Sequence, residues 1–254
     1  MKTLTRIFFA VAALFALACT TDATEDLAVQ MDSTGSTTLS ISLEGTKTHL
    51  GEKSGTEYPL YWCKGDQIAI NGIASQPLTE EAEGKAVATF SFNKSLTYPY
   101  NIVYPSPTTK INVDLGGVRT EATQRVVFLA EQPYTVGSFA EGAAPMYGYA
   151  AEANNDAIQM HHLAGVLRFA VKGNGEAVTS ITVKALGGKI AGEFNVNCTT
   201  GELTAQDSAS DTVTVTFAEP LTLGAEAAYI YVAVPAGSYG VLETTIATAE
   251  HEKM

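Results

Sequence analysis

The stretch TTLSISLE, residues 37–44, alternates apolar and hydroxyl side chains with a period of two residues. Leu39, Ile41 and Leu43 fall on one side of an extended chain, and the hydroxyl residues between them fall on the other. This pattern predicts a β-strand with one buried face and one solvated face. Similar alternation predicts strands at 66–71, 86–93, 101–105, 124–130, 165–173, 178–186, 192–197, 211–217, 228–237 and 240–249.

Helical patterning is weak by comparison. The nearest approach is EEAEGKAVA, residues 80–88, which Gly84 interrupts. The segments KGNGE (172–176) and NCTTGEL (197–203) have the composition of hairpin turns. We therefore predict an all-β protein built from sandwich-like layers.

The N-terminus has the pattern of an export signal. Lys2 and Arg6 precede an apolar run, residues 7–18, that is shorter than the roughly 20 residues a membrane-spanning helix needs. The adjoining ALAC resembles the lipobox of bacterial lipoproteins, which makes Cys19 the candidate lipidation site, although Ala16 stands where leucine is usual. The alternative is an ordinary signal peptide cut near Ala18.

The segment after the leader is polar and acidic. Residues 19–36 are rich in Ser, Thr and acidic side chains and predict a polar tether. The formal net charge of the chain is −12, and it becomes −14 when Lys2 and Arg6 leave with the leader. A chain this acidic has no basic surface for nucleic acid or anionic lipid, so neither is an expected partner.

We place a domain boundary near Asn154–Asn155, where the composition turns polar. The expected organisation is a signal peptide at 1–18, a tether at 19–36, an N-terminal β-sandwich domain at 37–155 and a C-terminal one at 156–254. Cys63 and Cys198 lie far apart in sequence; two buried thiols are the default expectation, with a disulfide as the alternative.

No catalytic motif stands out in the sequence. His161 and His162 are adjacent, so on a strand they point to opposite faces and do not make a good metal pair. We expect no enzyme activity, cofactor or metal. Trp62, Tyr100 and Tyr104 are candidates for stacking on sugar rings, and the alternative is that they pack the sandwich core.

The order of these features resembles the fimbrillin family of bacterial fimbrial subunits. The lipobox and the alternating strand are succeeded by YWCKGDQIAINGIASQPL (61–78), YNIVYPSP (100–107), MHHLAGVLRFAV (160–171) and IYVAVPAGSYGVLETTI (230–246). The resemblance implies two transthyretin-like β-sandwich domains and export as a lipoprotein to the outer membrane and cell surface.

The resemblance also implies assembly of fimbriae by strand exchange, with other fimbrial subunits as partners and a role in adhesion. In that family a protease removes the first strand, which corresponds to 37–44 here, and a strand from a neighbouring subunit fills the groove. We expect this strand at the edge of its sheet, where its loss exposes unpaired backbone groups. Lys47 and Lys53 are the candidate processing sites in the connection after this strand.

Two departures from the family pattern leave alternatives open. Processing in the family follows an arginine, but Lys47 and Lys53 are the only lysines or arginines between Cys19 and Trp62. Either a protease cuts this chain after a lysine, or the subunit keeps its first strand and its lipid anchor and serves as an accessory component. The C-terminal domain is expected to be incomplete after residue 249, or closed differently. The alternative function is a monomeric outer-membrane lipoprotein that binds host or bacterial surface glycans or proteins through exposed aromatic residues.

Overall fold

The computed structural model describes residues 35–43, 49–50, 60–106, 122–153 and 157–249. Regular structure in these ranges is almost entirely β, which confirms the predicted fold class. The tandem transthyretin-like arrangement stays a prediction. No helix in the described ranges has the length and apolar character to cross a membrane.

The strands are short and follow one another closely along the chain. The first ten are β1 (Thr37–Leu43), β2 (His49–Leu50), β3 (Leu60–Tyr61), β4 (Ala69–Ile70), β5 (Ile73–Ala74), β6 (Val87–Phe92), β7 (Tyr100–Tyr104), β8 (Thr123–Phe128), β9 (Glu131–Pro133) and β10 (Met146–Ala150). The next eight are β11 (Ile158–His162), β12 (Ala164–Val171), β13 (Ala177–Ala185), β14 (Gly192–Asn197), β15 (Leu203–Ala205), β16 (Thr212–Thr222), β17 (Ala228–Pro235) and β18 (Leu242–Thr248). A single 3-10 turn, Glu80–Ala82, lies between β5 and β6.

Five sheets result from the pairing of these strands. The largest has the order β5-β4-β7-β10-β11-β1-β6. A four-stranded sheet has the order β18-β13-β16-β9, a three-stranded one β15-β14-β8, and two-stranded ones join β12 to β17 and β2 to β3. The alternation in sequence matches the burial: in β6 Ala88, Phe90 and Phe92 are buried while the residues between them are exposed.

Three hydrophobic clusters fill the interior. The first core contains Ile41, Trp62, Phe90, Tyr104 and Met160, with other residues mostly from the first half of the chain. The second core is built from residues 178–234, and the third combines side chains of 69–128 with side chains of 163–209. Apolar burial of this extent is the main source of stability for a β-fold.

Strand pairing crosses the predicted domain boundary in four places. Each of these pairs joins a strand from before residue 155 to one from after it: β1–β11, β10–β11, β8–β14 and β9–β16. Asn154 and Asn155 themselves lie outside the described residues. The boundary stays a prediction, and the backbone ladders show that the two halves share sheets.

Of the two predicted hairpin turns, one connects a pair of antiparallel strands and the other does not. The segment 197–203 does connect the antiparallel pair β14–β15. The prediction of a hairpin at 172–176 is wrong, because the strands on either side of it, β12 and β13, belong to different sheets. Instead of closing on itself, this segment bonds to the chain after β16: Gly173 N donates to Gly224 O and Gly175 N to Leu223 O.

A buried glutamine covers the outer edge of β17. Gln132 on β9 is 1% exposed; its Nε2 donates to Ala233 O at 2.7 Å, and its Oε1 accepts from Ala233 N at 3.0 Å. The side-chain amide thus replaces one backbone pair of a neighbouring strand. It satisfies two polar groups that would be costly to bury alone.

Replacing Gln132 with methionine keeps the volume and removes this pairing. We expect Gln132→Met to lower the free energy of unfolding by about 2–4 kcal/mol, because two buried backbone groups lose their partners. Urea denaturation measures the change. The exposed neighbour provides a control, since Glu131→Gln should shift stability by less than about 0.5 kcal/mol. Equal midpoints for the two variants would contradict the structural role of the amide.

Candidate functional site

The strand β1 does not lie at the edge of its sheet. It is the second strand from the end, between β6 on the outer side and β11 on the inner side. The prediction of an edge strand was therefore wrong. The physical reason is that β6 also carries inward aromatic residues, so the first core extends beneath it and the sheet continues one strand beyond β1.

The pairing on the two sides of β1 differs in direction. With β6 the ladder is antiparallel over six residue pairs, from Thr37↔Phe92 to Ser42↔Val87. With β11 it is parallel over three pairs, from Ile41↔Ile158 to Leu43↔Met160. A strand in this position must therefore satisfy two ladders at once, which fixes both its direction and its register.

One face of β1 completes the first core. Ile41 is fully buried, Leu43 is 8% exposed, and Leu39 is half-buried against the same cluster. Thr38 and Ser40 on the other face are exposed. We call the space that β1 occupies the β1 slot: its floor is the first core, and its walls are the backbone edges of β6 and β11.

Contacts at both ends hold the strand in the slot. Leu96 N donates to Thr37 Oγ1 at 2.9 Å, just after β6. At the other end Leu43 N donates to Ala86 O at 3.0 Å, and Ser42 Oγ donates to Ile158 O at 3.4 Å. These hydrogen bonds fix the position of a strand that is buried mainly through its apolar side chains.

Three predicted site residues lie outside the described part of the chain. They are the candidate lipidation site Cys19 and the candidate processing sites Lys47 and Lys53. Of the connection between β1 and β3 the structure describes only β2, which pairs antiparallel with β3.

The predicted glycan platform is wrong because its three rings are buried. Trp62, Tyr100 and Tyr104 are 0%, 3% and 2% exposed. The Trp62 ring meets Phe90 and Tyr104 edge-on at centroid distances of 5.0 and 5.6 Å. These contacts are the edge-to-face packing expected of core aromatics, so none of the three rings offers a face to a sugar.

Tyr104 also forms a hydrogen bond with the buried carboxylate of Asp66. Its hydroxyl donates to Asp66 Oδ1 at 2.7 Å, and Cys63 N donates to Asp66 Oδ2 at 2.8 Å. Burial, together with the nearby Asp66 charge, raises the pKa of Tyr104 well above its ordinary value. The phenol therefore stays protonated and donates to the carboxylate, which is a structural role.

A cleft of about 630 Å³ lies beside this pair. Its lining includes Asp66, Tyr104, Arg125, Glu141 and Glu193, and Arg125 Nη1 lies 3.3 Å from Glu193 Oε2. Of these residues the sequence singled out only Tyr104, as a candidate for stacking on a sugar ring, and none of the ionisable side chains Asp66, Arg125, Glu141 and Glu193. The ionisable groups come from separate segments that only the fold brings together.

The histidines and cysteines take ordinary positions. His161 and His162 are half-buried on β11, and the His161 ring lies 5.4 Å from that of Tyr147. The described residues contain no cluster of three metal-binding side chains. Within the same ranges Cys63 and Cys198 form no disulfide. Burial raises the pKa of the Cys198 thiol to about 12, so it is unreactive in the folded chain.

Comparisons with known proteins give few matches. No protein-family model matches this chain, and no curated protein matches it. A solved structure described as a "putative cell adhesion protein" from Bacteroides ovatus is similar at a TM-score of 0.48 and 14% sequence identity. The alignment covers 84% of this chain and 86% of that one.

The packing of β1 can be measured by truncating its central side chain. We expect Ile41→Ala to lower the free energy of unfolding by about 2–5 kcal/mol, because a fully buried branched side chain leaves a cavity. Ser40→Ala, on the exposed face of the same strand, is the matched control and should change stability by less than about 0.5 kcal/mol. Urea unfolding curves that coincide for the two variants would show that β1 does not complete the core.

Proposed function

We propose that this chain is a cell-surface lipoprotein that serves as a structural or accessory subunit of fimbriae, with a role in adhesion. Subunits join by strand exchange at the β1 slot. The observation that carries the proposal is the position of β1: it comes first among the described strands, yet it lies inside a sheet and completes a core.

Replacing β1 with another strand costs less free energy than leaving the β1 slot empty. Burying a large aliphatic side chain is worth about 1.5–3 kcal/mol, so emptying the places of Ile41 and Leu43 costs several kcal/mol in apolar contact alone. Two rows of backbone groups would lose their partners as well. A slot with this apolar floor and two hydrogen-bonding walls binds an extended strand of matching pattern.

The sequence around β1 allows its release. Residues 44–59 connect it to β3 and contain Lys47 and Lys53. A cut at either lysine separates β1 and everything before it from the rest of the chain. If Cys19 carries the lipid, the same cut also detaches the folded part from the membrane, whereas an uncut subunit remains anchored as an accessory component.

The anchor rests on the sequence around Cys19. Each buried CH₂ of an acyl chain contributes about 0.8 kcal/mol, so two or three chains on one cysteine hold a protein stably in the outer membrane. The tether after Cys19 is polar and acidic, which suits a flexible spacer between the membrane and the first strand.

Limited proteolysis of the precursor tests the removable strand. We expect trypsin to cut first at Lys47 or Lys53, and the β1 fragment to stay bound through its core contacts until denaturant or a competing strand releases it. Intact mass spectrometry locates the cut, and size-exclusion chromatography shows whether the β1 fragment stays bound or is released. Lys47→Gln/Lys53→Gln is the resistant control. A precursor cut elsewhere while this connection survives, or one that unfolds as soon as it is cut there, would contradict the proposal.

Lipidation is tested by comparing two cysteine variants in a Gram-negative host that processes lipoproteins. We expect Cys19→Ser to move the protein from the detergent phase to the aqueous phase in Triton X-114 partitioning, because the acyl chains have no attachment point. Cys63→Ser keeps the leader intact and should partition like the wild type. If all three proteins partition alike into water, the leader is an ordinary signal peptide.

A further inference from the structure

The two sheets that enclose the second core have different widths. One is the two-stranded sheet of β12 and β17, and the other is the four-stranded sheet with the order β18-β13-β16-β9. At one side the sheets end together, because Gln132 of β9 covers the edge of β17 through its bonds to Ala233. The wider sheet therefore extends beyond β12 at the other side, where β18 is its last described strand.

The core side of β18 is open within the described part of the chain. Ile246 lies directly across from Ile181, and Thr244 lies across from Val183. Residues paired in this way share one face of the sheet, here the face towards the second core. Their two partners on β13 are 0% exposed, whereas Ile246 is 42% exposed and Thr244 is also exposed. No described strand lies opposite β18.

The edge of β12 beside this opening has backbone groups that point outward. Ala233 turns its N–H and C=O to the glutamine of β9, away from β12, so its cross-strand partner Val166 belongs to a non-hydrogen-bonded pair. The backbone groups of Val166 therefore point away from β17, and those of Ala170, four residues later, point the same way. Among the described strands, β12 pairs with β17 alone.

We call this feature the sheet step, and it consists of the outer edge of β12 and the open core side of β18, with Val166, Phe169, Ala170, Thr244 and Ile246. Phe169 faces the second core but is only half-buried. A strand added to β12 would lie opposite β18 and would cover Ile246. An exposed strand edge beside an apolar surface binds an extended strand through its backbone.

The sheet step is complementary in shape to itself. A two-fold axis parallel to the strands exchanges the two layers, so the overhanging β18 of each copy lies beside the short edge of β12 in the other. Each layer then continues across the junction in the order β17-β12-β18-β13. The core sides of the two β18 strands pack on each other, which covers Ile246 in both copies. A symmetric contact of this kind closes at a dimer.

The charges on the two strands favour this pairing. Arg168 is the charged residue of β12 and Lys172 follows the strand, whereas Glu243 is the charged residue of β18. Arg168 and Glu243 lie on the outer faces of their sheets, because their neighbours in sequence face the core. Pairing β12 with β18 thus brings opposite charges to one surface. Pairing β12 with another β12 would bring like charges together, which is unfavourable.

We infer that two copies of this chain associate at the sheet step, with β18 of each copy adding to β12 of the other. The second copy is the partner because the overhang, the open edge and the charges of one copy match those of an identical one. This contact goes beyond the proposed exchange at the β1 slot and does not depend on it, since both strands stay in their own fold.

Sedimentation velocity of the full chain over a range of concentrations tests this dimer, in a mild detergent that shields the apolar N-terminus. We expect a concentration-dependent dimer whose Kd Ile246→Lys raises about tenfold or more, because the new charge is buried against its copy in the partner. Val136→Lys makes the same charge change at a residue 80% exposed after β9, at the other side of the sheet. Its Kd should stay within about twofold of that of the unmodified chain.

Two results of this experiment would overturn the inference. One is an unmodified chain that stays monomeric at every concentration, which would leave the sheet step to a strand of another protein. The other is an equal Kd for Ile246→Lys and Val136→Lys, because the dimer would then form elsewhere on the surface.

Hydrogen exchange of the unmodified chain locates the contact without any variant. Between dilute and concentrated solutions we expect slower exchange at the amides of Val166 and Ala170 in β12 and at amides of β18, because they gain carbonyl partners. The control is β7, which already pairs on both sides and should not change. Slowing in β12 alone would mean that β12 pairs with its own copy, and slowing in neither strand would mean that the copies do not meet there. Either result contradicts the inferred dimer.

Discussion

The two-sided pairing of β1 is the constraint on which the first sheet depends. Among the described strands, β6 joins the sheet only through β1, and β11 on the other side leads directly into β12 and the second half of the chain. A gap between β6 and β11 would therefore separate the outer strand from the rest and expose the first core. Loss of β1 without a replacement strand would therefore destabilise this sheet.

Buried polar side chains have specific roles around this framework. Asp66 is held by Tyr104 and the backbone of Cys63, and Gln132 takes the place of a backbone pair at Ala233. In each case a buried polar group has partners on both of its acceptor or donor atoms, so burial costs little. These bonds hold segments distant in sequence at a fixed spacing.

The strands that sequence patterning predicted well are those with β-branched or aromatic residues on a strict period of two. β14 has the predicted bounds, and β6, β12, β13 and β17 differ by one or two residues. The pattern missed β10 and β11, whose sequences MYGYA and IQMHH carry a glycine or adjacent histidines in place of alternating aliphatics. Tertiary pairing on both sides makes them strands despite a weak local preference.

The amino-acid sequence by itself determined the fold class and the inward faces of the strands, because the period of two assigns each side chain to one face. It placed Leu39, Ile41 and Leu43 in the interior. Only the tertiary structure decided which strands flank β1, that Trp62, Tyr100 and Tyr104 are buried, and that Ser95 lies against Gly35. Alternation fixes the face of a residue but not its neighbours, since those depend on contacts between segments far apart in the chain.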